Sequence, residues 1–177
     1  TTRADACDPE LLTPLPYAAV TANGQTVYAD ANGSYSHPHS GGNTSFGGAL
    51  GGQWFIVNNE AGSTTTASNT GSNGDVVNIS YNTSPSELVT AQTNAYREAN
   101  RIRDLVLASN PAYPTIGTQT FWPINCNIGS SCNAFYDYSS INFYQNGGGC
   151  NNTAFSVVVH HEYGHHLVAE AGSGQGE

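Results

Sequence analysis

Lysine is absent from the 177 residues, arginine occurs only as Arg3, Arg97, Arg101 and Arg103, and charged residues make up 10% of the chain. Thirteen acids against four arginines leave a net charge of -9. Such a surface repels phosphate backbones and anionic lipid, which argues against nucleic-acid and membrane-surface partners. Long apolar runs are also missing. The longest strongly apolar stretch, Phe155 to Val159, falls far short of the roughly 20 residues that span a bilayer. The opening Thr1-Thr2-Arg3-Ala4-Asp5 carries no apolar segment of signal-peptide type, so the sequence reads as a mature or trimmed chain. Cysteine is scarce: Cys7, Cys126, Cys132 and Cys150, with no CxxC spacing, fit two disulfides in an oxidising compartment better than a zinc knuckle.

Polar, uncharged residues take the place of the missing charges. Gly, Asn, Ser and Thr account for 73 of the 177 residues. Hydroxyls and amides then provide solubility, as expected of a secreted, extracellular protein, and 38% hydrophobic content is enough to bury a core.

The pattern along the chain predicts an α+β fold in two stretches. Residues 1–83 read as a β-rich region, accessory or propeptide-like. Short β-branched and aromatic runs (Thr26-Val27-Tyr28, Trp54-Phe55-Ile56-Val57, Val76-Val77-Asn78-Ile79) alternate with turn dipeptides such as Asn23-Gly24, Asn32-Gly33 and Asn73-Gly74. His37-Pro38-His39 and the segment Thr64 to Asn73 are expected in exposed loops.

Residues 84–177 are more regular. Ser84-Pro85-Ser86-Glu87 reads as a capping box with Pro at the first helical position. A helix to about Ala108 is then expected, with Leu88, Ala91, Ala95, Ala99, Ile102 and Val106 along its apolar stripe. Arg97, Glu98 and Arg101 fall on its polar side, which predicts a solvated face. Asn133-Ala134-Phe135-Tyr136-Asp137 and Ile141-Asn142-Phe143-Tyr144 alternate as the two arms of a hairpin. That hairpin brings Cys132 and Cys150 together and favours their pairing. A last helix is expected through Val157 to Ala171, stopped by Gly172.

That helix carries the informative motif. His161, Glu162 and His165 form H-E-x-x-H within His160-His161-Glu162-Tyr163-Gly164-His165-His166. Residues four apart share a helix face, so two imidazoles can reach one zinc ion. Glu162 projects about 100° round the helix, where it can take a proton from a metal-activated water. Chance is a weak explanation, since shuffling this composition yields roughly 0.008 such patterns per chain. Ala154, Val157, His161, His165 and Val168 fall on one stripe, which places the ligands on a buried face. His160 and His166 lie outside it and are expected to face solvent or to support the ligands. A third protein ligand is needed. The metzincin extension would require Gly at Val168 and His at Ala171, so that class is excluded. Glu170 is too close on the same helix, and Glu177 or a Glu beyond the chain end is the remaining source.

The stretch Ser84 to Glu177 resembles the N-terminal part of the catalytic domain of a thermolysin-like, gluzincin-type secreted zinc metallopeptidase. Asn133-Ala134-Phe135-Tyr136, Gly147 to Ala154 and His161-Glu162-Tyr163-Gly164-His165 carry the likeness. The resemblance implies a zincin-like lobe in which the Asn133 strand is the edge of the active-site sheet. Asn133 and the backbone of Ala134 would hold an extended peptide across from the zinc, with Glu162 as general base and then as proton donor. It implies a peptide or protein substrate and a third ligand, a Glu, on a later helix, which the sequence does not reach. Calcium is compatible with the acidity, although no EF-hand-type loop is present. The rival reading is a non-catalytic extracellular β-rich module, for adhesion or assembly, that retains a zincin-like lobe. Cleavage specificity and oligomeric state leave no mark in the sequence.

Overall fold

The computed structural model describes residues 1–172. It is a mixed α+β structure of two four-stranded sheets and two helices. The first sheet is antiparallel in the order β2-β1-β3-β5, from β1 (Ala19–Ala22), β2 (Gln25–Tyr28), β3 (Thr44–Ala49) and β5 (Thr66–Gly71). Asn23 and Gly24, both at positive φ, make the two-residue turn between β1 and β2.

The second sheet has the order β4-β6-β8-β7, from β4 (Phe55–Asn59), β6 (Trp122–Ile128), β7 (Ala134–Tyr136) and β8 (Ile141–Tyr144). β4, β6 and β8 run parallel, and β7 folds back antiparallel on β8 as the outer strand. Strand alternation sorts this sheet's faces. Phe55, Val57, Trp122, Ile124, Cys126, Ile141 and Phe143 point into the main core. The other face carries an amide ladder, in which Asn58 Nδ2 donates to Asn125 Oδ1 and Asn125 Nδ2 to Asn142 Oδ1, each at 2.8 Å.

Helix α1 (Glu87–Ser109) packs on β4 and β6, helix α2 (Ser156–Glu170) on β7 and β8, and the two helices touch. Ala91, Ala95 and Ala99 are buried against the sheet as the stripe predicts. The capping box does not form: Ser86 is the N-cap without a side-chain bond. Glu87 instead accepts hydrogen bonds from the Asn146 backbone and Asn152 Nδ2, both at 3.1 Å.

The polar side of α1 is solvated only in part: Arg101 is exposed, Arg97 is half-buried and Glu98 is buried. Residues 1–16 lie across the part of α1 that holds Thr93 and Asn94, with Arg3 N–H donating to Asn94 Oδ1 at 2.9 Å and Thr93 Oγ1 to Thr1 O at 2.9 Å. Glu98 is 2% exposed and bonded to Arg97, Arg101 and His160. Two further expectations fail in the first sheet. Thr66–Gly71, expected in a loop, is a strand because β3 pairs with all six residues, whereas residues 76–79 form no strand.

The expected Cys132–Cys150 disulfide is present, with Cα atoms 5.2 Å apart. A second disulfide is not. Cys126 is sealed under α1 and Cys7 is exposed, both as free thiols. Among the described residues no helix is long and apolar enough to cross a membrane.

Candidate metal and proton-transfer site

Three valines in a row, Val157-Val158-Val159, let α2 bury either of two adjacent faces. The aromatic core decides between them. Tyr163 packs edge-on against Phe55 and Trp122, with ring centroids 5.6 and 5.8 Å apart, and draws Val159, Glu162 and His166 inward with it. The expected stripe is therefore a correction: Val157 is 76% exposed and His161 and His165 lie on the open face, although Ala154 is buried before the helix begins.

On that open face the two imidazoles converge. His161 Nε2 and His165 Nε2 are 3.2 Å apart and the ring planes are perpendicular. Two zinc–nitrogen bonds of about 2.05 Å at a tetrahedral angle would put the nitrogens about 3.3 Å apart, so the spacing fits a shared ion. Without an ion, the Nε2–H of one ring donates a hydrogen bond to the Nε2 of the other.

Glu162, 6% exposed, sits beside this pair on the inner side. Burial is the main influence on its carboxyl and raises its pKa above the ordinary value. His161, His165 and the Tyr136 backbone N–H pull in the opposite direction. A carboxyl so placed holds a proton more readily than an exposed one.

β7 brings Asn133 and Ala134 to the same end of the sheet. The Asn133 carbonyl turns inward and accepts from Tyr144 N–H (3.4 Å) and Thr153 Oγ1 (3.1 Å). By alternation the main-chain groups of Ala134 and Tyr136 face the open edge. The Tyr136 N–H is turned towards Glu162, and Ala134 presents its backbone at the outer edge of the sheet.

The two histidines flanking the motif are both engaged. His160 Nε2 meets Glu98 Oε2 at 3.1 Å, which ties α2 to α1. His166, 1% exposed, stacks on Trp122 at 4.3 Å and lies between Tyr136 Oη and Gln119 Oε1. Burial lowers its pKa, and the Glu170 carboxylate opposes that. Glu170 Oε1 lies 3.9 Å from His166 Nδ1, beside the buried imidazole. Glu177 lies outside the described residues, among which no group of three or more His, Cys, Asp or Glu is placed to hold a metal ion.

Tyr136, Gln119 and Glu98 lie outside the residues that the sequence pattern marks as a site. Tyr136 belongs to the Asn133–Tyr136 segment, whereas nothing local marks Gln119, which reaches the site from the loop before β6. His37 and His39 stay remote, packed edge-on against Phe46 in the first sheet. No family model, curated protein or solved structure matched the chain in comparison.

Proposed function

We propose that the chain is an extracellular zinc-dependent endopeptidase, or the metal-binding half of one, and that residues 84–177 are its zincin-like lobe. The observation that carries this reading is the 3.2 Å separation of His161 Nε2 and His165 Nε2 on an open helix face, with the Glu162 carboxyl buried alongside. His161 and His165 would hold the zinc, with a third donor from outside residues 1–172. When bound, the ion polarises the peptide carbonyl and makes water a nucleophile at neutral pH.

The chain's own residues supply the rest. The open edge of β7 aligns an extended peptide through the Ala134 backbone, with Asn133 at the start of the strand. Glu162 takes the proton of the attacking water and passes it to the departing amine, so the peptide C–N bond breaks as the amine is neutralised. His160 and His166, held by Glu98 and Gln119, keep the helix in place beneath these groups.

Zinc analysis with a casein cleavage assay tests the reading. Near-stoichiometric zinc removable by chelator, and cleavage abolished in Glu162→Gln, are expected. One observation favours the non-catalytic extracellular module: only two metal donors converge among the described residues. Zinc-free protein whose binding to a surface partner survives His161→Ala would establish that module instead.

A further inference from the structure

We infer that His166 is a positioning residue that fixes the edge strand, and through it the proton-transfer carboxyl, by gripping Tyr136 from the same helix row as Glu162. The catalytic half of this inference rests on the peptidase reading, and the structural half does not.

Gln119 Oε1 can only accept, so at 2.9 Å from His166 Nε2 it assigns the ring proton to Nε2. The neutral ring then offers Nδ1 as an acceptor, and Tyr136 Oη donates to it at 3.2 Å. Trp122, stacked on the ring at 4.3 Å with an 18° interplanar angle, stops the imidazole from rotating out of this arrangement.

The consequence lies in the spacing. Glu162 and His166 are four residues apart, on one row of α2. Both face Tyr136: the Glu162 carboxyl lies on the side of its backbone N–H, and His166 bonds its phenol hydroxyl. A single residue of β7 is thus held at its side-chain tip, with its main chain facing the carboxyl, by the row next to His161 and His165. Burying an imidazole with both nitrogens bonded fixes geometry more than it adds stability, because an apolar side chain would fill the space without needing partners. What it fixes is the distance between the substrate edge and the carboxyl.

Tyr136→Phe removes one oxygen atom and is the main test; His166→Leu and His166→Asn accompany it. Asn can place its amide oxygen near the position of Nδ1, so it should restore what Leu loses. Backbone hydrogen exchange at residue 136, read by NMR on metal-free protein, should speed up about tenfold in Tyr136→Phe and His166→Leu, return towards wild type in His166→Asn, and stay unchanged in α1. Unchanged exchange at residue 136 in Tyr136→Phe overturns the inference, even if His166→Leu fails to fold.

In casein or peptide cleavage, kcat should fall about tenfold in Tyr136→Phe with KM within about twofold of wild type, since small misplacements of a reacting group are costly. A wild-type kcat overturns the catalytic half. If exchange responds as expected while the wild-type protein cleaves nothing, the grip on Tyr136 stands and the peptidase reading fails.

Discussion

Glu98 on α1 and His160 on α2 meet at 3.1 Å across the helix–helix contact, one position before the first histidine of the motif. The carboxylate is almost fully buried and is also bonded to Arg97 and Arg101. Burial, the largest influence, would raise its pKa, but the bonds from His160 and Arg101 and the charges of both arginines outweigh it and leave the pKa below the ordinary value. A depressed folded-state pKa contributes stability that is present above the unfolded-state value and lost as pH falls through the folded one. Chemical denaturation should therefore show stability falling as pH drops below about 4.5. Glu98→Gln should cost about 2 kcal/mol at pH 7 and flatten that acid limb.

The Cys132–Cys150 bridge closes a loop of 18 residues that contains the whole β7–β8 hairpin. Constraining a loop of that size in the unfolded chain is worth about 3 kcal/mol. The Cys132→Ser, Cys150→Ser double variant should unfold at lower denaturant by that amount. In native-state exchange, β7 should lose protection before β4 or β6.

The two remaining thiols differ in access. Burial drives the Cys126 thiol pKa strongly upward, while Cys7 is exposed. Under native, non-reducing conditions an alkylating reagent should label Cys7 alone, and Cys126 only after unfolding. Rapid labelling of both, or of neither, would contradict the placement of these side chains.

Gly52, between the two sheets, has no room for a side chain. A Cβ there would overlap the carbonyl oxygen of Tyr17 and the hydroxyl of Tyr96, whose own bond to Pro16 O is 2.8 Å. Gly52→Ala should cost about 3 kcal/mol or more, measured as a lower midpoint of thermal or urea unfolding.

What the sequence made legible is what local chemistry controls. The hairpin follows from alternation, α1 from its alanine stripe, the end of α2 from Gly172, and the Cys132–Cys150 pair from the hairpin between them. The failures came where a distant segment decided the outcome. Glu98 looks solvent-facing until His160 of α2 and the two neighbouring arginines close over it. Thr66–Gly71 has a loop-like composition and is a strand because β3 offers it six partners. Period alone could not tell which face of α2 turns inward, since a run of three valines suits both; Phe55 and Trp122, far away in sequence, decide it through Tyr163. Gln119 could be assigned to His166 only once the loop before β6 was placed.

The central claim is that His161 and His165 share one zinc ion while Glu162 remains free to move protons. Anomalous diffraction recorded at the zinc edge, on crystals of protein prepared without chelator, tests it most directly. The account predicts a peak between the two rings, about 2.1 Å from each Nε2, with the Glu162 carboxyl outside bonding distance. No peak between His161 and His165, or a peak bonded to Glu162, would contradict it.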